Sequence, residues 1–164
     1  MSLSFAVITV SDRSFQGVRE DRSGPALVAL IQNNGWQVNR TEIISDDFSL
    51  IKNTLERLSE ISEIEIILTT GGTGFSPRDV TPEATISVIN RLAPGLDEAM
   101  RSKSLLITPH AMLSRGVSGI RGGTLIINLP GNPNAAEENF KAIMPVLSHA
   151  VDLIRSKPDG EGGH

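Results

Sequence analysis

The sequence predicts an α/β fold, a three-layer sandwich in which a mostly parallel sheet carries helices on both faces and an added β-hairpin. Three observations predict it. Short β-branched runs alternate with longer amphipathic runs, the pattern of parallel strands joined by helical crossovers. Gly116–Leu129 breaks that alternation with two β-prone runs around a Gly-Gly pair. No linker, repeat or composition shift divides the 164 residues, a length that suits one core.

The elements follow in order. Phe5–Val10 (FAVITV) reads as a buried strand. Ser23-Gly24-Pro25 opens a helix, with Ser23 as its N-cap and Pro25 in its first turn. Leu27, Leu30 and Ile31 share its inner face, and Asn34-Gly35 stops it. Trp36–Ile44 is the second strand. Asp47 caps a second helix whose apolar face is Leu50, Ile51, Leu55 and Leu58. Glu65–Thr70 is the third strand, ended by a glycine turn. Thr81 caps a third helix with Pro82 at its first position and Ile86, Ile89 and Ala93 facing inward. Pro94-Gly95 breaks it, and a short helix runs through Leu96–Lys103.

The hairpin follows, with Gly122 and Gly123 supplying the positive φ angles of a tight turn. Asn134 with Glu137 resembles a capping box for the last helix. Its inner stripe is Phe140, Met144, Leu147, Val151 and Ile154, and Pro145 should kink or interrupt it. The domain is expected over residues 1–156. Residues 157–164, polar and Gly-rich, read as a disordered tail in which His164 is a loose end.

Composition narrows the function. A net charge of -4 gives no basic surface for nucleic acid. The sequence has no cysteine, which removes disulfides, thiolate ligands and a cysteine nucleophile. The apolar run near the N-terminus is too short for a signal peptide or a membrane span, so a cytoplasmic protein is expected. His110 and His149 are not arranged as metal ligands, and Trp36 reads as a packing anchor.

Residues suited to chemistry gather after the strands, where ligands bind in open α/β sheets. They are Thr9–Arg13, Ser45-Asp46-Asp47, Thr69–Gly74 and Asn128–Pro133. Gly71, Gly72, Thr73 and Gly74 suit a phosphate chain, because glycines let successive N–H groups approach a ligand. A tight turn after a buried strand accounts for them equally well. Asp79 stands just before a helix N-terminus that favours anions. A carboxylate beside a phosphate needs a cation, and Mg²⁺ with Asp79 and Asp46 fits that need. Asp47 reads as a cap. Arg78 reaches either a phosphate or an exposed partner, and Ser114, Arg115 and Arg121 fit anion contacts or a solvated hairpin.

The block LTTGGTGFSPRDVTPEAT strongly resembles the signature of the molybdopterin adenylyltransferases, the group that includes the plant enzymes' G domain and the gephyrin G domain. TVSDRSFQG, DRSGPAL and GIRGGTLIINLPGNPNA resemble the same family, so the likeness spans about residues 4–155. It implies trimers of α/β subunits that bind molybdopterin and adenylate its terminal phosphate from Mg-ATP. It implies two catalytic aspartates, which match Asp46 and Asp79. It implies a nucleotide and pterin pocket lined by Gly71 to Gly74 and by the second loop with Pro130, Gly131 and Asn132. Ser104 and Asn128 match polar positions at the pterin phosphate end. The resemblance also implies contact with the enzyme that inserts molybdate. The acidic loop departs from the pattern: Ser45 stands where many members have proline, and Asp46 and Asp47 compete for one role.

The reaction so implied needs no protein nucleophile, since the substrate phosphate supplies the attacking oxygen. A pterin-binding or scaffolding module without turnover is the alternative, and a plain nucleotide-binding domain the third. Nothing in the residues ranks molybdate against tungstate.

Overall fold

The computed structural model describes residues 2–156. The expected tail, with His164, lies outside the described residues. Six strands form one sheet: β1 (Ser4–Val10), β2 (Gln37–Ile44), β3 (Ile66–Thr70), β4 (Arg91–Leu92), β5 (Ser118–Arg121) and β6 (Thr124–Leu129). Their order is β2-β1-β3-β6-β5-β4. The first four in that order run parallel, and β5 and β4 add the antiparallel edge. The helices are α1 (Asp12–Phe15), α2 (Ser23–Asn33), α3 (Phe48–Ser59), α4 (Thr81–Val88), α5 (Pro94–Leu105) and α6 (Pro133–Arg155), with a 3₁₀ turn at Pro109–Leu113.

The strand period of two explains the two cores. Along β1, Phe5 and Val7 point to one face while Ala6, Ile8 and Val10 point to the other. The first face packs with Leu27 and Ile31 of α2 and with Phe140, Leu147 and Val151 of α6. The second packs with Ile51, Leu55 and Leu58 of α3 and with Ala84 and Val88 of α4. Each fully buried Leu, Ile or Phe contributes about 1.5–3 kcal/mol, so both helical layers are firmly held. Trp36 stacks on Phe5 at 5.4 Å between ring centroids and meets Phe140 edge-on at 6.4 Å, a packing role as expected.

Several expected details are corrected. Ser23 is not the cap of α2: it lies inside the helix, and Asp21 Oδ1 accepts the Gly24 N–H instead at 3.1 Å. A carboxylate is the stronger acceptor at a helix N-terminus. Thr81 lies inside α4, its hydroxyl committed elsewhere. Asn132, not Asn134, caps α6 and accepts from the Ala135 N–H at 3.1 Å. Pro133 occupies the first helical position, which sets the cap one residue ahead of it.

α4 stops at Val88 instead of running to Ala93. Asn90 and Ala93 donate to the carbonyls of Ile120 and Ser118 at 2.7 and 2.8 Å, so the sheet edge captures this stretch as β4. Ile86 is consequently 53% exposed, and Thr85 and Val88 face inward in its place. Pro94 starts α5 rather than breaking a helix. Leu50 lies at the surface, outside the buried face of α3. Pro145 does not interrupt α6: it sits on the exposed side, where solvent can reach the Lys141 carbonyl it leaves unpaired. Gly122 has a positive φ of 56° in the hairpin turn, and Gly123 does not. Among the described residues no helix is long and apolar enough to cross a membrane.

Candidate functional site

The strand registers bring the predicted loops to one level. Val10 lies opposite Ile44, Thr9 opposite Thr70, and Thr70 opposite Leu129. All four loops singled out in the sequence therefore leave the sheet along the same edge.

One rim is built from the ends of β1 and β2. The Asp12 N–H donates to Asp46 Oδ2 at 2.8 Å, and the Asp46 N–H donates to Asp12 Oδ1 at 2.9 Å. Two carboxylates face to face would repel, but each is satisfied by the other's backbone. Arg78 completes the arrangement by donating to both oxygens of Asp12 at 2.9 Å. Its guanidinium holds the Asp12 carboxyl below the usual carboxylate range. Burial pushes Asp46 up, against the pull of the Asp12 N–H, and the negative charges of Asp12 and Asp79 add to the rise. Asp47 is spent on capping α3, where it accepts from the Leu50 N–H at 2.8 Å. That leaves Asp46 as the carboxylate facing the site. Arg78 takes the exposed ion pair of its two expected roles.

The other rim is the loop from β3 to α4. Gly71 and Gly72 have φ angles of 106° and 69°, a region costly for other residues. A Cβ on Gly71 would collide with the Val10 carbonyl oxygen, and one on Gly72 with the Thr81 hydroxyl. The same Gly72 Cβ would stand 3.1 Å from Asp46 Oδ1, and one on Gly74 would stand 2.9 Å from Asp79 Oδ2. Both aspartates thus border the glycine loop. Thr81 closes the loop, with its N–H on the Gly72 carbonyl at 3.1 Å and its hydroxyl on the Gly71 carbonyl at 3.0 Å. Asp79 accepts from the Ser76 N–H at 3.0 Å in a tight turn.

Arg115 is the residue that sequence reasoning undervalued. Its guanidinium donates to the Gly74 carbonyl at 2.7 Å and the Asp79 carbonyl at 2.8 Å, and pairs with Glu83. Its own N–H donates to the Thr73 carbonyl at 2.8 Å. Nothing local in the sequence marks it, because the partners lie about forty positions away. Asp12 was equally hidden, although its segment was singled out. Arg121 instead supports α4 by donating to the Val88 carbonyl at 2.8 Å.

The second loop packs directly on the first. The Thr70 hydroxyl donates to the Pro130 carbonyl at 2.7 Å, and a Cβ on Gly131 would lie 3.3 Å from the Gly71 Cα. Asn132 continues this loop and spends its side-chain oxygen on the cap of α6. Asn128 is buried beneath, with every polar atom used: it accepts from the Val117 N–H and donates to the hydroxyls of Thr69 and Thr85. Its amide supports the floor. Ser104 lies on α5, half-buried against Asn139.

Asp46 and Asp79 offer hard oxygen ligands, and the mutual repulsion felt by Asp46 is what a divalent cation would relieve. Among the described residues no three His, Cys, Asp or Glu side chains are grouped to hold a metal. A Mg²⁺ held here would complete its shell with waters and ligand oxygens, the usual habit of that ion.

A family model described as "Probable molybdopterin binding domain" matches residues 6–149. The chain is 44% identical over 162 residues to gephyrin of Dictyostelium discoideum, covering 93% of this chain and 22% of that protein. It thus spans about a fifth of gephyrin's length. It is 40% identical over 157 residues to a molybdopterin adenylyltransferase of Helicobacter pylori, covering 93% of this chain and 88% of that one. A crystal structure of the molybdopterin biosynthesis enzyme MoaB from Thermus thermophilus superposes with a TM-score of 0.88 at 44% identity, covering 95% of this chain and 98% of that one.

Proposed function

The chain belongs to the molybdopterin-binding domain family, and from that membership we propose that it acts in molybdenum cofactor biosynthesis, binding molybdopterin and adenylating its terminal phosphate from Mg-ATP. The observation that carries this reading is the meeting of Asp46, Asp79 and the Gly71–Gly74 loop at the level ends of four strands. A phosphate oxygen of molybdopterin attacks the α-phosphorus of ATP, an oxygen–phosphorus bond forms, and the bond to the departing pyrophosphate breaks. The attacking oxygen is already ionised, so no protein group needs to become a nucleophile.

The chain contributes positioning and charge. Gly72, Thr73 and Gly74 supply N–H groups and a hydroxyl to phosphate oxygens. Pro130, Gly131 and Asn132 form the facing wall, and Ser104 meets the pterin phosphate end. Asp46 and Asp79 would hold Mg²⁺, which neutralises charge on the phosphates. The Asp12–Arg78 pair and Arg115 keep the two aspartates in place. The domain over residues 1–156 works in a cytoplasmic homotrimer, and its product passes to the enzyme that inserts molybdate.

Incubation with purified molybdopterin and Mg-ATP tests the reading, with adenylated pterin and pyrophosphate as the expected products. If pterin binds and neither product forms at any magnesium concentration, the chain is a binding module. Sedimentation at micromolar concentration should give the mass of three chains, and a stable monomer there would remove the trimer.

A further inference from the structure

Asn139 of α6 is buried, and its side-chain nitrogen donates to Ser104 Oγ and to the Ala135 carbonyl, both at 2.8 Å. The second bond settles the orientation of the amide. A backbone carbonyl can only accept, so the group turned toward Ala135 and Ser104 is the NH₂, and both of its protons are used. Ser104 Oγ therefore acts as an acceptor toward Asn139. Its own proton finds no acceptor among the described residues. A serine hydroxyl is ordinarily ambiguous, free to donate or accept as its neighbour demands. Here a buried donor removes the ambiguity and leaves Ser104 as a donor toward whatever lies in front of it.

On its other side Asn139 lines a small cavity, together with Asp97, Arg101, Ser114, Asn128 and Pro130 among others. The Pro130 carbonyl also accepts from the Thr70 hydroxyl at the foot of the glycine loop. The cavity holds one further fixed polarity. Both Asp97 oxygens accept from Ser118, through its N–H at 2.9 Å and its hydroxyl at 2.7 Å, so that carboxylate already has donors of its own.

We propose that Asn139 is a positioning residue that fixes the Ser104 hydroxyl as a hydrogen-bond donor to the terminal phosphate of molybdopterin. The proposal rests on the reading of Ser104 as a contact at the pterin phosphate end. A donor held in that sense favours a phosphate oxygen, which can only accept, over a neutral hydroxymethyl end, which can also turn to donate. Because the site binds the phosphate before and during transfer alike, loss of this contact weakens binding more than it slows the chemistry.

The test is Asn139→Asp, which keeps the shape and replaces the donor by an acceptor. The Ser104 proton then turns back toward the introduced carboxylate. The KM for molybdopterin should rise about tenfold or more, the scale of one hydrogen bond to a charged group. The kcat and the KM for Mg-ATP should stay near wild type. Ser104→Ala should raise the same KM by a similar factor, and the double variant should be no worse than Ser104→Ala alone.

If Ser104→Ala leaves the molybdopterin KM unchanged while adenylation proceeds, the placing of Ser104 at the phosphate end falls and takes the inference with it. If Ser104→Ala raises that KM and Asn139→Asp does not, the inference alone is overturned. A fall in kcat and melting temperature together with a rise in both KM values would make Asn139 a packing residue and overturn it too. Should Asn139→Asp fail to fold, Asn139→Ala decides: a raised molybdopterin KM in a folded protein supports the inference, and an unchanged one ends it.

Discussion

Asp46 and Asp79 border the same glycine loop and are fastened in opposite ways. Asp46 sits where two strands end, locked into a reciprocal exchange with Asp12 and raised in pKa by burial. Asp79 sits in a surface turn, its carboxylate accepting from the nearby Ser76 N–H and its backbone held from a distance by Arg115. The first rim gets its geometry from sheet register. The second gets it from glycine conformations and one long side chain. Two chemically identical groups therefore respond differently to the same substitution, and that difference can be measured.

The largest effect is expected from removing either charge. Asp79→Asn and Asp46→Asn should each lower adenylation by at least about a hundredfold, the scale of one preorganised electrostatic contact. Molybdopterin affinity should change little. Stability should separate the two. The raised Asp46 pKa means that the folded state prefers the protonated form. Its favourable contribution is present below the ordinary aspartate value near 3.9 and is lost as pH rises through the raised folded value. Asp46→Asn removes that ionised, desolvated group, so its melting temperature at neutral pH should equal or exceed wild type. The gain should vanish on acidification. Equal losses of activity and of stability in Asp46→Asn would mean that Asp46 is structural.

The place where the rims touch gives the next effect. Gly71→Ala forces a positive φ on a residue with a Cβ and drives that Cβ into the Val10 carbonyl of β1. A cost of about 2–3 kcal/mol is expected from denaturant unfolding. Gly35 is the internal control: its φ is 79°, but open space surrounds it. Gly35→Ala should cost about 1 kcal/mol. Similar costs at both positions would show that the contact with β1 matters less than the dihedral.

The contrast between the rims also explains what the sequence made legible. The sheet, the hairpin and the cap at Asp47 followed from local pattern, because periodicity and capping are properties of neighbouring residues. The glycine loop and Asp79 were legible for the same reason, as a compact block. Asp46 was found by its position after a strand. Its partner Asp12 was not, since the exchange between them exists only once β1 and β2 pair. Arg115 and Asn139 act across 36 and 35 positions in sequence, on Asp79 and Ser104. The early end of α4 was illegible in the same sense: only the edge strand it joins explains why Ile89 leaves the helix.

Loosening the second rim should cost less than removing its charge. Arg115→Lys keeps the cation but loses the planar fork that reaches Gly74, Asp79 and Glu83 together. The kcat should fall by about tenfold, on the view that the loop keeps its residues and loses some of their order. The KM values should move less. Unchanged kcat would show that Thr81 alone holds the loop.

The smallest effect is expected at Arg78, where the two rims are tied by an exposed pair. Arg78→Ala frees Asp12, whose carboxyl the guanidinium holds below its usual value. A lowered folded pKa contributes stability above the ordinary aspartate value near 3.9 and loses it as pH falls through the depressed one. The difference in melting temperature between Arg78→Ala and wild type should therefore be small at neutral pH, shrink on acidification and shrink again with added salt. Activity should fall less than in Arg115→Lys, because the reciprocal bonds between Asp12 and Asp46 survive without the arginine. An activity loss as deep as that of Asp46→Asn would contradict this ordering. Arg78 would then have to leave Asp12 and meet the phosphates themselves, and the first rim would be a moving part rather than a fixed one.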